Sequence, residues 1–254
     1  MVETRQIDGR TVTFRHDEGR GPSLVCIHGS AGNHHAFDRL LDALPGHDRY
    51  AINLPGRAGT DGPPLSTVTE MELFLSAFLA SVVAGDYVIV GHSVGGGVAI
   101  EHALVSGSER LKGVVLLATG GRLRVHPLIL ELFDPVAEAG AAPPLPPGLF
   151  QRDADSELLA ETSKYLALTP FESAGTDWRA SDGFDRMDDL KQIQAPALIV
   201  TGTNDTFTPP KYAEYLAANI ADSEISVIQG AGHMLFIERV PEVSDAIERF
   251  VSQF

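Results

Sequence analysis

Residues 87–95 read Tyr87-Val88-Ile89-Val90-Gly91-His92-Ser93-Val94-Gly95. Four aromatic or β-branched residues predict a strand over 87–90, and apolar side chains at three- and four-residue spacing predict a helix from 95 to 106. Between the two lies the pattern Gly-x-Ser-x-Gly. A strand that gives way to a helix this abruptly needs a sharp turn with the serine in a strained backbone conformation, and the flanking glycines leave room for it. Such a turn lifts Ser93 Oγ above the sheet and aims the amide of Val94 into the same space.

The alternation extends outward in both directions. Residues 11–15, 24–27, 50–53 and 114–118 read as strands and 36–44 and 69–83 as helices. Further on come a strand at 197–201, a helix at 210–220, a strand at 225–228 and a last helix at 241–254. Strands alternating with helices imply a largely parallel sheet covered by helices on both faces. From about 121 to 195 the alternation stops. That stretch offers a helix at 128–138, a proline-rich linker at 139–148 that can be neither regular helix nor central strand, and a helix at 156–168. Because the strand pattern resumes after Ala195, residues 1–120 and 196–254 form one interrupted α/β core. Residues 121–195 are expected to form a helical cap, or lid, over the carboxyl edge of the sheet, with its return segment.

With 254 residues, 44% of them hydrophobic, the chain can bury a sizeable core. A formal charge of −15 opposes nucleic acid and anionic membrane surfaces as partners and slows capture of anionic substrates. The one cysteine, Cys26, sits in an apolar run and reads as a buried core thiol, so no intrachain disulfide forms. Neither a signal peptide nor a membrane-spanning stretch is legible, so the expected location is the cytoplasm, as a monomer or homodimer.

A serine hydroxyl needs a base within hydrogen-bond reach and a third group that holds the base in the right tautomer. Asp205 follows the strand at 197–201 and His233 follows the strand at 225–228, which brings both to the carboxyl edge shared with Ser93. Asp205 also suits a turn or helix cap before Pro209-Pro210. Of the nine histidines, His16, His47 and His126 are expected at the surface, His102 in the helix after the turn, and His92 packed or hydrogen-bonded beneath it. The turn His28-Gly29-Ser30-Ala31-Gly32 supplies a backbone amide, so Ser30 N–H and Val94 N–H are the expected oxyanion pair.

Taken together, His28-Gly29, Gly91 to Gly95, Gly202 to Asp205 and Gly232-His233 resemble the α/β-hydrolase superfamily across nearly the whole chain. The resemblance implies an α/β-hydrolase fold: an eight-stranded, mostly parallel sheet flanked by helices, one antiparallel strand near the start, and a helical cap inserted after strand 6. It implies no metal or organic cofactor, and the sequence has neither a His/Cys cluster at ligand spacing nor a glycine-rich phosphate loop. Serine at the elbow separates the chain from members whose aspartate forms alkyl-enzyme esters. Met234 stands where plant-type hydroxynitrile lyases have lysine, and no tryptophan follows His233 as in carbon–carbon bond hydrolases. The resemblance therefore implies a carboxylesterase acting on a small-molecule ester. A lactonase, a C–C bond hydrolase and a small-molecule receptor on the same fold stay open. Leu128, Ile129, Leu132, Phe133, Leu149, Phe150, Tyr165, Leu166 and Phe171 are expected to shape the substrate pocket.

Overall fold

The computed structural model describes residues 1–105, 109–133 and 142–254. In chain order the elements are β1 (Val2–Ile7), β2 (Arg10–Asp17), β3 (Arg20–Ile27), α1 (Asp38–Asp42), β4 (His47–Ile52), α2 (Val68–Val82), β5 (Tyr87–His92), α3 (Val94–Val105) and β6 (Leu111–Leu117). After them come α4 (Pro127–Leu132), α5 (Ser156–Leu166), α6 (Phe171–Asp182), β7 (Ala197–Gly202), α7 (Pro210–Asn219), β8 (Ser223–Ile228), α8 (Leu235–Glu238) and α9 (Val240–Val251).

The eight strands form one sheet in the order β1-β2-β4-β3-β5-β6-β7-β8. β2 is antiparallel to both of its neighbours, and every pair from β4 onward is parallel. The eight-stranded, mostly parallel sheet with one reversed strand near the start is thus present. Successive residues of the central strands feed opposite faces. Leu24, Cys26, Val88, Val90, Leu198 and Val200 pack toward α1 and α9. Val25, Ile27, Ile89, Val114, Leu116 and Ile199 pack toward α2, α3 and α7. Buried on both faces, these strands read as continuous apolar runs rather than as alternation. α2 begins in a reciprocal capping box, with Thr67 Oγ1 accepting from the Glu70 amide and the Glu70 carboxylate accepting from that of Thr67.

The structure departs from the sequence reading at three points. β1 was not read as a strand because it is an edge strand, five of whose six residues, Val2 to Gln6, face water to some degree, leaving no apolar period. The expected helix at 36–44 is a 3-10 turn, His34–Phe37, leading into the short α1. α6 gives no apolar period because serine, glycine and aspartate share its buried face with two alanines and Trp178. The helix expected at 128–138 is seen as α4, and its reading over 134–138 lies outside the described residues. Between β6 and β7 the described residues add no strand to the sheet and carry α4, α5 and α6.

From β3 the chain crosses to β4 on one side, while β5 pairs with β3 on the other. In open α/β sheets the crevice at such a reversal is where ligands bind. The turn into α3 sits there under tight sterics. A Cβ on Gly91 would overlap the carbonyl of Gly95, and one on Gly95 would overlap the carbonyl of Ile27. Both obstacles are backbone, which cannot swing aside. Gly95→Ala is therefore expected to lower stability by about 1–3 kcal/mol or more, seen as a lower urea midpoint at unchanged slope. Gly46→Ala, where a Cβ meets nothing within 4 Å, should stay within about 0.5 kcal/mol of the parent.

Candidate active site

Ser93 has φ +53°, a left-handed conformation that costs a residue with a Cβ about 1–3 kcal/mol unless its surroundings fix it. Here they do. Its amide donates to Leu117 O at 3.0 Å, and its carbonyl accepts from the amides of Gly96 and Gly97 and, at 2.7 Å, from Thr119 Oγ1. The side chain emerges between β5 and α3 into a cavity of about 640 Å³ that His233 also lines.

Asp205 and His233 arrive on the loops after β7 and β8. Two hydrogen bonds tie those loops together, Asn204 N to Ala231 O at 2.9 Å and Gly230 N to Thr203 Oγ1 at 2.9 Å. His233 Nδ1 lies 2.9 Å from Asp205 Oδ2, both side chains being buried. A carboxylate accepts only, so Nδ1 carries the proton and Nε2 is left with a lone pair. Asp205 Oδ1 accepts from the amides of Phe207 and Thr208 at 2.8 and 2.9 Å, and Oδ2 accepts from Thr208 Oγ1 at 2.7 Å. Burial alone would raise the Asp205 carboxyl. The electrostatic attraction and hydrogen bond of His233, with the amide and hydroxyl of Thr208, outweigh it and hold the group well below the usual carboxylate range.

Behind Ser93 a smaller cavity of about 30 Å³ is lined by Gly29, Ser30, His92 and His233. The 29–32 turn packs directly on the serine: a Cβ on Gly29 would lie 2.6 Å from His92 Nδ1 and 3.1 Å from Ser93 Cβ. Among the described residues, neither the Ser30 nor the Val94 amide donates to a protein acceptor. The turn is fixed from three sides. His28 donates through Nδ1 to Gly29 O at 2.9 Å and accepts through Nε2 from Leu54 N at 3.2 Å. Ser30 Oγ meets Ser181 Oγ at 2.9 Å. Ala31, at φ +62°, donates its amide to Asp177 Oδ2 at 2.9 Å. Asp177 in turn grips Arg57 through both guanidinium amino groups, Nη2 to Oδ1 at 2.8 Å and Nη1 to Oδ2, with both side chains completely buried.

The structure thus brings Asp205 and His233 together and places Ser93 on the same cavity; Ser30 lines the smaller cavity with Ser93, and Val94 lines neither. Among the described residues, no hydrogen bond joins Ser93 Oγ to His233 Nε2. Several contacts escaped the sequence reading. Thr208 braces Asp205, and the Phe207 ring lies 5.0 Å from that of His233. Trp178 lines both cavities. The Asp205-Thr-Phe-Thr208 turn was the available signal for Thr208; nothing local announced Trp178 or Asp177. Of the residues expected to shape the pocket, Leu128 and Ile129 line the large cavity and Leu149, Tyr165 and Leu166 the small one. Leu132, Phe133, Phe150 and Phe171 line neither.

His92 lies beneath the turn as expected, with Nε2 donating to His233 O at 3.1 Å. His16 and His47 correct the surface expectation. Each is largely buried, His16 between Glu3 and Asp48 and His47 against Glu248, because neighbouring carboxylates offset the cost of burying an imidazole. His126 is exposed, at the rim of the large cavity. Cys26 is free and buried, and burial pushes its thiol far up. Among the described residues, no group of three or more His, Cys, Asp or Glu could hold a metal ion.

Residues 24–246 match the alpha/beta hydrolase family, and the chain belongs to it. An uncharacterised hydrolase of Bacillus subtilis, YugF, is 26% identical, over 96% of each chain. A pimeloyl-[acyl-carrier protein] methyl ester esterase of Neisseria meningitidis is 27% identical, over 90% of this chain and 93% of its own. Among solved structures, a thermophilic esterase is 30% identical, with a TM-score of 0.83 over 100% of this chain and 98% of its own. The chain is accordingly a hydrolase of the α/β type.

Two predictions follow from the charges in this region. Asp177→Ala leaves the Arg57 guanidinium buried and unpaired, so it should cost about 3–5 kcal/mol in urea unfolding, and Arg57→Met in the same chain should recover part of the loss. The second concerns pH. Burial, reinforced by the neighbouring His233, lowers His92 to about 3, and burial likewise holds His28 well below its ordinary value. Both imidazoles fold neutral, so the unfolded chain binds more protons as pH falls below about 6.5. Their contribution is fully present above that value and is lost toward pH 3, at up to about 1.4 kcal/mol per pH unit for each histidine. Stability measured from pH 7 to 4 should show a shallower slope in His92→Asn.

Proposed function

We propose that the chain hydrolyses carboxylic esters, with small acyl esters as substrates, through an acyl-enzyme on Ser93. The observation that carries this reading is the buried 2.9 Å contact of His233 Nδ1 with Asp205 on the wall of the cavity that also holds Ser93. The name of the 30% identical thermophilic esterase and that of the Neisseria methyl ester esterase support the same reaction class.

In this mechanism Ser93 Oγ attacks the ester carbonyl while His233 Nε2 takes the hydroxyl proton. The carbonyl π bond becomes an oxyanion that accepts from the amides of Ser30 and Val94. The tetrahedral species collapses, the carbon–oxygen bond to the alcohol breaks, and His233 returns the proton to the departing alkoxide. Water then enters, gives a proton to His233 and attacks the acyl carbon; a second collapse breaks the bond to Ser93 Oγ, which takes the proton back from His233, and the carboxylic acid leaves. Asp205 stays ionised throughout and stabilises the imidazolium formed in each half. Each amide of the oxyanion pair contributes about 2.7–4 kcal/mol in the transition state.

In this reading the 121–195 segment acts as the cap. Trp178 from α6 and Leu128 and Ile129 at α4 shape the pocket together with Phe207 from the core. Ring opening of a lactone uses the same groups, so the test covers both substrate types. The buried single thiol and the absence, among the described residues, of a helix long and apolar enough to cross a membrane support a cytoplasmic site of action.

The expected outcome is turnover of a short-chain p-nitrophenyl ester, with fluorophosphonate labelling located at Ser93 by mass spectrometry. Ser93→Ala and His233→Ala should each lose several orders of magnitude in kcat, and Asp205→Asn less. Unlabelled protein, or turnover by Ser93→Ala equal to the parent, would exclude the mechanism. Initial rates on lactones beside linear esters decide which is preferred.

A further inference from the structure

The chain holds 34 acidic and 19 basic side chains, yet its main cavity has the opposite sign. Arg124 and Lys211 line it, and among the described residues no Asp or Glu does. Arg124 comes from the segment between β6 and α4, and Lys211 from the first turn of α7, so two separate parts of the fold bring cations to one rim. Both are exposed, and among the described residues neither is held in an ion pair. Two acids on neighbouring segments have partners of their own: Asp182 Oδ1 accepts from Val125 N at 3.0 Å, and Asp185 pairs with Arg122 at 3.6 Å. Apolar side chains, Val125, Leu128, Ile129, Trp178 and Phe207, make up much of the wall of the same cavity, with the hydroxyls of Ser181, Thr206, Thr208 and Tyr212 among them.

We propose that the substrate carries a free carboxylate at the end of an apolar spacer, with the scissile carbonyl at Ser93 and the carboxylate between Arg124 and Lys211. This rests on the ester hydrolase reading and names its substrate class. The overall charge repels such a molecule at long range, but salt screens that repulsion beyond about 8 Å, whereas unpaired cations beside low-dielectric walls act at contact distance. The local field therefore decides. The apolar wall fixes the order of the groups: a charge placed along Trp178 and Phe207 would lose its water without gaining a partner, so the anion belongs at the rim and the spacer inside.

The test compares mono-p-nitrophenyl esters of adipic, suberic and sebacic acid with counterparts whose distal carboxyl is an amide. At low salt the carboxylate form of the best length should be favoured in kcat/KM by roughly fivefold or more, a preference that shrinks as salt is added. Arg124→Gln combined with Lys211→Gln should bring the ratio to about one. A ratio of one or less in the parent at every length, with the amide esters turned over, overturns the proposal and leaves the hydrolase reading intact. So does a preference that the double substitution leaves in place. Calorimetric titration of suberate into Ser93→Ala protein separates the two readings without turnover. Salt-sensitive binding that the double substitution abolishes supports the anion site even if no ester is cleaved, in which case only the hydrolase reading falls. Absence of binding together with absence of turnover removes both.

Discussion

The arrangement of the candidate site depends on one ion pair, Arg57 with Asp177, from which water is wholly excluded. Moving two charges out of water costs several kcal/mol per ion, and mutual attraction offsets that only when the geometry is good and the remaining valences are filled. The geometry is good, and the valences are filled in part: Arg57 Nε finds no hydrogen-bond partner among the described residues. The guanidinium meets the carboxylate through two donors, Asp177 Oδ2 also accepts the Ala31 amide, and Arg57 Nη1 reaches Gly32 O at 3.4 Å. The pair therefore joins three segments distant in sequence: the loop after β4, the 29–32 turn after β3, and α6. Ala31, held at positive φ, has its amide satisfied only while α6 stays docked. The shape of the turn beside Ser93 is thus set from within the segment between β6 and β7.

The second constraint is steric and lies below the first. Gly95 lets the β5 to α3 turn press against the backbone of β3, Gly91 lets the turn close on the start of α3, and Gly96 lets α3 approach Thr119, whose side chain would sit 2.5 Å from an added Cβ. Close approach on both sides leaves Ser93 one conformation, and the Thr119 and Leu117 contacts secure it. The strain at the serine is offset by bonds made elsewhere in the sheet. It therefore persists without any ligand.

How much of this was legible in the sequence follows from where each signal is written. The central strands were plain because burial on both faces makes their sequences apolar throughout, and Gly-x-Ser-x-Gly was plain because its sterics permit few other residues. β1 was hidden because an edge strand exposed to water needs no apolar period, and α6 because it buries Ser173, Asp177 and Ser181 rather than leucines. A buried aspartate is legible only through its partner, and Arg57 lies 120 residues away. His16 and His47 failed for the same reason, since their carboxylate partners come from other elements. Local chemistry was readable in the sequence; pairings across the chain were not.

Asp205 shows why two readings of one residue need not compete. As the cap of a turn it accepts the amides of Phe207 and Thr208 on Oδ1, and as the partner of His233 it accepts the imidazole proton on Oδ2. Those amides fix the carboxylate plane, and Thr208 Oγ1 adds a donor to the oxygen that faces the histidine. Stripped of the turn, the carboxylate could rotate away from Nδ1, and burial would favour its neutral form, which has no negative charge to stabilise an imidazolium. Capping is thus the condition under which the acid can orient the base, and a residue suited to the one role is suited to the other.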